Sequence, residues 1–471
     1  MIINFAVQAY QSRSLPLAAQ QCINLYAEQQ PADAKSQVAI FNTPGLDLIV
    51  DTGGSAGRGA HVMAGIFYAV IGNTLYSIDQ HGNSIDLGDI KGTGRVSIAG
   101  TGRVSMADNA VQLCIVNGAE GYIYTAADGL VQITDEDFLP ADTVVYQDGY
   151  FIFSAVGTGQ FFISNLLDGT SYLATDFADA EGQSDNLVAV FSNHREVFLF
   201  GKKTTEVWYN SGNLDFPFSR IGGAFIERGC AAAHSIARID NTLIFLGEDR
   251  IVYRMQGYVP QRISQHAIEH TMEAYTTVSD AFAFSYTMAG HKFYVLTFPT
   301  EKDTWVYDAS TSLWHQRQSF GLSRWRVNGY AEAYGKHMVI DSEGGIVGDM
   351  NPDAYVEYGN TMQGIAAAAP IHSGRKRLFM RRLELDIESG VGLTSGQGSD
   401  PQIMLDWSDD GGRTFSARQL WRSMGKIGEY RQRLRWNRMG SFRNRILRAI
   451  IADPIKRTGI AAHADLDTGT S

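Results

Sequence analysis

Short apolar runs separated by glycine-bearing polar turns recur along most of the chain. The clearest pair lies between Val197 and Met255. Residues 197–209 read VFLFGKKTTEVWY and residues 243–255 read LIFLGEDRIVYRM. In each, an apolar run reaches a glycine (Gly201, Gly247), crosses a charged turn and returns as a second run carrying an aromatic, Tyr209 or Tyr253. The two glycines lie 46 residues apart. β-Branched and aromatic runs joined by Gly, Asn and Asp turns read as hairpins. The same unit occurs at 68–79, 113–124, 150–164, 292–308 and 337–350. A single unit of this kind cannot cover its apolar face, so it needs copies of itself as neighbours. Strand-only repeats about 37–50 residues apart predict an all-β fold. The specific expectation is a β-propeller over 58–365 with about seven blades, or six if the first or last unit belongs elsewhere.

The flanks have a different texture. Residues 1–57 contain Pro16, Pro31, Pro44 and a glycine-rich stretch at 53–57. They read as an extended N-terminal arm that lends a strand to the last blade, the usual remedy for an open sheet edge. Beyond Pro370, RRLELDIES (381–389) alternates, with Leu383, Leu385 and Ile387 inward and Arg382, Glu384, Asp386 and Glu388 outward. A glycine-rich loop (390–400) and a hairpin (401–421) follow. Together they predict a small C-terminal β-sandwich-like domain over 366–471, with residues 462–471 frayed. One helix is expected at 264–276, capped by Ser264 and packing Ile268, Met272 and Tyr275.

Composition narrows the class. No run approaches the roughly 20 apolar residues that cross a bilayer, so membrane insertion is not expected. The first ten residues lack a basic leader and a small-residue cleavage site, so no signal peptide is expected. Cys22, Cys114 and Cys230 are odd in number and far apart, as for unpaired thiols in a reducing compartment. The net charge of −11 is polarised. Residues 371–471 hold 18 Lys+Arg against 11 Asp+Glu, or +7, leaving the first 370 residues 21 against 39, or −18. Such separation bears on partners rather than on fold.

Several phrases, in order along the chain, resemble the packaged-DNA stabilisation proteins of short-tailed phages, which form the tail hub. They are NLYAE (24–28), NTPGL (42–46), RGAHVMAGIFYAVIGNTLY (58–76) and the doubled octapeptide in GTGRVSIAGTGRVSMAD (92–108). WVYDAST (305–311) and RLRWNRMGSFRNRILRAIIADPIKRTG (433–459) complete the set. The resemblance implies a structural virion protein with neither catalytic residues nor cofactor. It also implies a homo-hexamer below the portal and adaptor rings that attaches the tail needle and tailspikes or fibres. Such a hub is made in the host cytoplasm, resides in the virion tail, surrounds the DNA exit path and keeps packaged DNA from leaking.

Four motifs carry candidate chemistry. His266, Glu269 and His270 fit the H-x-x-E-H zinc pattern, but a third ligand and a helical domain are missing, which favours a plain connector helix. Gly53-Gly54-Ser55-Ala56-Gly57 fits the nucleophile-elbow spacing without a helix to follow it, and reads as a linker. Ser408-Asp409-Asp410-Gly411-Gly412-Arg413-Thr414-Phe415 resembles the turn box of sialidase-like propellers. It occurs once and outside the repeats, so it reads as a well-made turn. A propeller glycosidase or sialic-acid-binding protein, which needs several such boxes and converging arginines, is the alternative, with a cellular propeller scaffold the third reading. Finally, Arg431, Arg433 and Arg435 project from one face of a strand and Gln432, Leu434 and Trp436 from the other. Arg438, Arg443 and Arg445 extend this basic surface. Arginine suits forked contacts with carboxylate or phosphate. The acidic whole argues against a dedicated DNA-binding protein, so acidic protein surfaces are the expected partners.

Overall fold

The computed structural model describes residues 2–3, 5, 8–90, 103–180, 182 and 185–469. Most of the doubled octapeptide, residues 92–102, lies outside them.

Each hairpin expected from the sequence forms the middle of a four-stranded antiparallel sheet. Five such sheets stand alone, spanning 57–89, 105–132, 141–179, 187–226 and 237–262. A sixth, 282–316, is part of a larger sheet. The seventh, 327–351, takes its outer strand from the N-terminus: Gly45–Asp51 pairs antiparallel with Ile346–Asn351. Gly45 is required there, because a Cβ would lie 2.5 Å from the carbonyl oxygens of Ala354 and Val356. These seven sheets are blades 1 to 7.

The packing explains why the middle strands are continuously apolar. In Glu196–Gly201 of blade 4, Val197 and Leu199 face blade 3, whereas Phe198 and Phe200 face blade 5. Alternate side chains thus enter two different cores, and neither face meets water. Seven such cores, one between each adjacent pair of blades, run around the ring. The core joining Phe67 and Ala69 of blade 1 to Ile340 and Val347 of blade 7 closes it. Six of the seven hairpins between a blade's first and second strands turn on two consecutive residues of positive φ. Ala64-Gly65 and Asp148-Gly149 are examples. This is the turn whose twist matches that of the paired strands.

The helix is α1 (His266–Glu273), between blades 5 and 6. Ile268 and Met272 are buried in the core shared by those blades, and Tyr275 packs against it. Its N-cap is Gln265, which makes no side-chain cap. Ser264 does not cap it; its hydroxyl donates to Glu269 at 2.7 Å and accepts from the Val252 amide at 3.0 Å. The cap expectation failed because a buried carboxylate competes for that hydroxyl.

The C-terminal body is a β-sandwich around Leu383, Leu385, Leu405, Leu434, Trp436 and Leu447. One sheet runs Leu25–Gln29, Val38–Asn42, Thr458–Thr468, Leu378–Ile387, Leu434–Asn437. The other runs Gly364–Ala367, Asn444–Ile451, Gln402–Ser408, Leu420–Ser423. Residues 462–468 are not frayed, because Thr458–Thr468 lies inside the first sheet, paired along Leu378–Ile387. Ala462 and Ala464 are buried against the core. Alanines alternating with Asp and His carry too little apolar signal to announce a strand.

The N-terminal residues serve both bodies. Ala19–Ile23 pairs with Gly364–Ala367 of the sandwich on one side and meets Gln316 of blade 6 on the other. Blade 6 and one sandwich sheet are therefore a single 11-stranded sheet. At this junction Arg317, fully buried, stacks on Trp325 at 3.8 Å and donates to the Pro44 carbonyl at 2.9 Å. Glu357 accepts from the Trp325 indole at 2.8 Å.

Candidate functional site

The basic face stands on the sandwich. Leu434 and Trp436 are buried, as the alternation requires, and the Trp436 indole donates to the Leu420 carbonyl at 3.1 Å. On the opposite face Arg433 and Arg435 converge on Glu384, directly across from Arg435 in the sheet. Arg433 forks onto it at 2.6 and 3.0 Å, and Arg435 donates at 3.0 Å. Two guanidiniums on one carboxylate leave a positive excess directed outward. Arg431 and Arg438 are exposed, and Arg443 is exposed while donating to the Arg375 carbonyl.

Arg445 sits apart from this face. It is 3% exposed, lies over Phe442 at 4.3 Å and grips Asp409 through two bonds of 2.6 Å. Arg448, three residues on and on the other face of the strand Asn444–Ile451, makes a second fork, bound to Asp406 at 3.0 and 2.7 Å and lying over Phe415 at 3.7 Å. These two forks were not anticipated. Cross-strand pairing of Asp406 with Arg448 is set by register, which no local sequence signal encodes.

The turn box does what its chemistry suggests. Asp410 receives the Thr414 hydroxyl at 2.6 Å, the Ser408 hydroxyl at 2.7 Å and the amides of Arg413 and Thr414 at 2.9 and 3.0 Å. The Thr414 hydrogen bonds, followed by those of Ser408 and Arg413, hold its carboxyl far below the usual carboxylate range. The connector 53–57 links Gly45–Asp51 to Gly57–Met63 with no helix between them.

In the histidine motif, Glu269 is buried and engaged by Arg262 and Ser264. His266 is mostly exposed and within 2.8 Å of Arg262. His270 leans to Glu273 at 3.5 Å. Among the described residues no group of three or more His, Cys, Asp or Glu is placed to hold a metal ion. Cys22, Cys114 and Cys230 are buried and unpaired, and burial pushes the Cys22 and Cys230 thiols up to about 12 and about 11.

A buried polar cluster at the junction also escaped the sequence reading. His291 of blade 6 lies 2.6 Å from Asp308 and 3.4 Å from Glu28 of the N-terminal strand Leu25–Gln29. The hydrogen bond to Asp308 raises the pKa of His291 above its ordinary value. Nearby His315 is buried, and burial together with Arg317 lowers it to about 3.

A ring closed by its own N-terminal strand and continuous with a sandwich, its motif carboxylates Glu269 and Asp410 held by neighbouring side chains, defines a two-body, all-β protein. Residues 8–355 match the family model described as bacteriophage P22 Gp10, beta-propeller, and residues 366–466 match bacteriophage P22 Gp10, beta-sandwich. The chain belongs to this family of phage tail-hub and DNA-stabilisation proteins. No curated protein matches it. Among solved structures it is similar to the computationally designed Ika8 protein, at 12% identity over 65% of this chain and 100% of that one, TM-score 0.40. The N-terminal domain of Nup159 (9% identity, 70% and 99% covered, TM-score 0.41) is also similar. So is the Cps50 (Swd1) beta-propeller domain of Myceliophteria thermophila (9%, 64% and 98%, TM-score 0.42). No helix among the described residues is long and apolar enough to cross a membrane.

Proposed function

We propose that this phage structural protein is the tail hub of a short-tailed phage. In this reading it assembles as a homo-hexamer beneath the portal and adaptor rings, closes the channel, retains packaged DNA and attaches needle and spikes. It acts without catalysis. The observation that carries the reading is the family match across both bodies, 8–355 and 366–466. Its physical support is the division of labour in the fold, where a rigid ring and a charge-opposed sandwich offer separate surfaces to separate partners.

The test is a phage carrying a nonsense mutation early in this gene. Packaged particles are expected to lose their DNA and lack needles, and purified wild-type protein added back to freshly packaged heads is expected to restore both. Mutant particles that keep their DNA and carry needles overturn the proposal.

A further inference from the structure

Most of the net negative charge of the first 370 residues lies in one stretch. From Val104 to His194 the chain has 13 Asp and Glu and no Lys or Arg, whereas the remainder of the first 370 residues has 26 acidic and 21 basic residues. That stretch is blades 2 and 3 with the first strand of blade 4. The ion pairs His61–Asp108 and Arg195–Asp148 join it to the blades on either side. Its outer surface also carries exposed apolar side chains. Val131 lies on the outermost strand of blade 2 and Phe177 on that of blade 3, with Leu167 and Leu173 on the loop before it. Glu136 and Asp179 are exposed among them. Apolar side chains within a rim of one charge sign are the anatomy of a docking surface rather than of a solvated face.

The sandwich presents the complement. Its 424–433 loop exposes Ile427 and Tyr430, flanked by Lys426 and Arg431, beside the arginines gathered on Glu384. Aromatic and arginine side chains together dominate the energetics of interfaces. The two surfaces cannot meet within one chain. The sandwich is continuous with blade 6, and in a seven-membered ring blades 2 and 3 are the two farthest from blade 6.

We infer that the acidic, apolar-studded side of blades 2 and 3 is the docking surface for the basic 426–431 loop of a second copy of this chain. The contact joins two different surfaces, so each copy keeps one surface of each kind free for the next, and the geometry propagates head to tail. Opposite charge favours that register and disfavours like-to-like pairing. This inference rests on the hub reading for its biological setting.

Two double variants test it, Glu136→Lys/Asp179→Lys and Lys426→Glu/Arg431→Glu. Both change exposed side chains, and each monomer is expected to melt as the wild type does. Attachment of purified chain to hub-deficient heads is read as copies per particle by mass spectrometry. Each variant alone is expected to need at least tenfold more protein than wild type to reach full occupancy. An equal mixture of the two is expected to restore occupancy, because reversed surfaces then meet reversed surfaces and native surfaces meet native ones around an alternating ring. Variants that attach as wild type, or a mixture no better than its components, overturn the inference. A wild-type chain that does not attach at all overturns the hub reading itself.

Discussion

Arg445 and Asp409 share two hydrogen bonds of 2.6 Å, with Arg445 3% exposed and Asp409 nearly half exposed. The arginine is the partner with no alternative solvation. Changing Asp409→Ala leaves a buried guanidinium with less compensation, a change that costs about 3 kcal/mol. Urea unfolding of the variant is expected to register a loss near that size. Asp386→Ala, which removes the surface partner of Lys35, is expected to cost less than about 1 kcal/mol. Equal losses at the two positions would contradict the assignment.

His315 makes a second prediction, with a definite sign. Its folded pKa, about 3, lies below its ordinary value of 6.5. Between these pH values the unfolded chain binds a proton that the folded chain does not. Stability therefore falls as pH drops below about 6.5, by at most about 1.4 kcal/mol per pH unit for one group. His291 acts in the opposite sense: its raised pKa adds stability present below the unfolded value and lost as pH rises through the folded one. Urea midpoints at pH 5 and 7 are expected to converge in His315→Gln and to diverge further in His291→Gln. The reverse pattern would exchange the roles of the two histidines.

The last strand offers a third. A chain ending at Arg457 lacks Thr458–Thr468 and its pairing with Leu378–Ile387, Val38–Asn42 and Ile2–Ile3. Trp436, buried on Leu434–Asn437 across Leu378–Ile387 from the missing strand and in one core with Ala462 and Ala464, is expected to gain solvent exposure. Its fluorescence should shift to the red relative to the full chain. An unshifted spectrum from the truncated protein would show that this strand is dispensable.

Thiol chemistry gives a fourth. Cys22, Cys114 and Cys230 are buried, and burial raises their pKa values, so little thiolate exists and little reagent reaches it. An aromatic disulfide reagent at pH 8 is expected to react with none in the folded protein and with all three in guanidinium. One fast-reacting thiol under native conditions would place that residue at the surface.

What the sequence made legible follows from burial. The hairpins at 197–209 and 243–255 are the second and third strands of blades 4 and 5, apolar on both faces because each face meets a different neighbour. The first and outermost strands are half wet and carry weaker patterns; Phe177–Asp179 has only three residues. The alternation at 381–389 and 433–436 was legible for the same reason, with Leu383, Leu385, Leu434 and Trp436 in one core. Pairings such as Asp406 with Arg448, or Glu28 with His291, were not, because they join residues 42 and 263 positions apart, the first through strand register and the second through contact between separate sheets. The basic face was legible as charge, while its division into outward Arg431 and inward Arg445 required the backbone.

Where the strands pair also fixes when the chain can fold. Ile2 lies beside His463, Phe41 beside Thr458, and the strand that closes the ring, Gly45–Asp51, waits for Ile346–Asn351. During synthesis these N-terminal-side strands leave the ribosome long before their partners. Blades 1 to 6 can stack as they emerge, since each needs only its neighbours. The ring can close only after residue 351, and the sandwich is completed only by Thr458–Thr468. A ribosome that stops short releases an open arc with bare strand edges, the form most exposed to aggregation. Synthesis of Thr458–Thr468 is thereby coupled to completion of the sandwich, and only chains that reach it hold both bodies in their paired form.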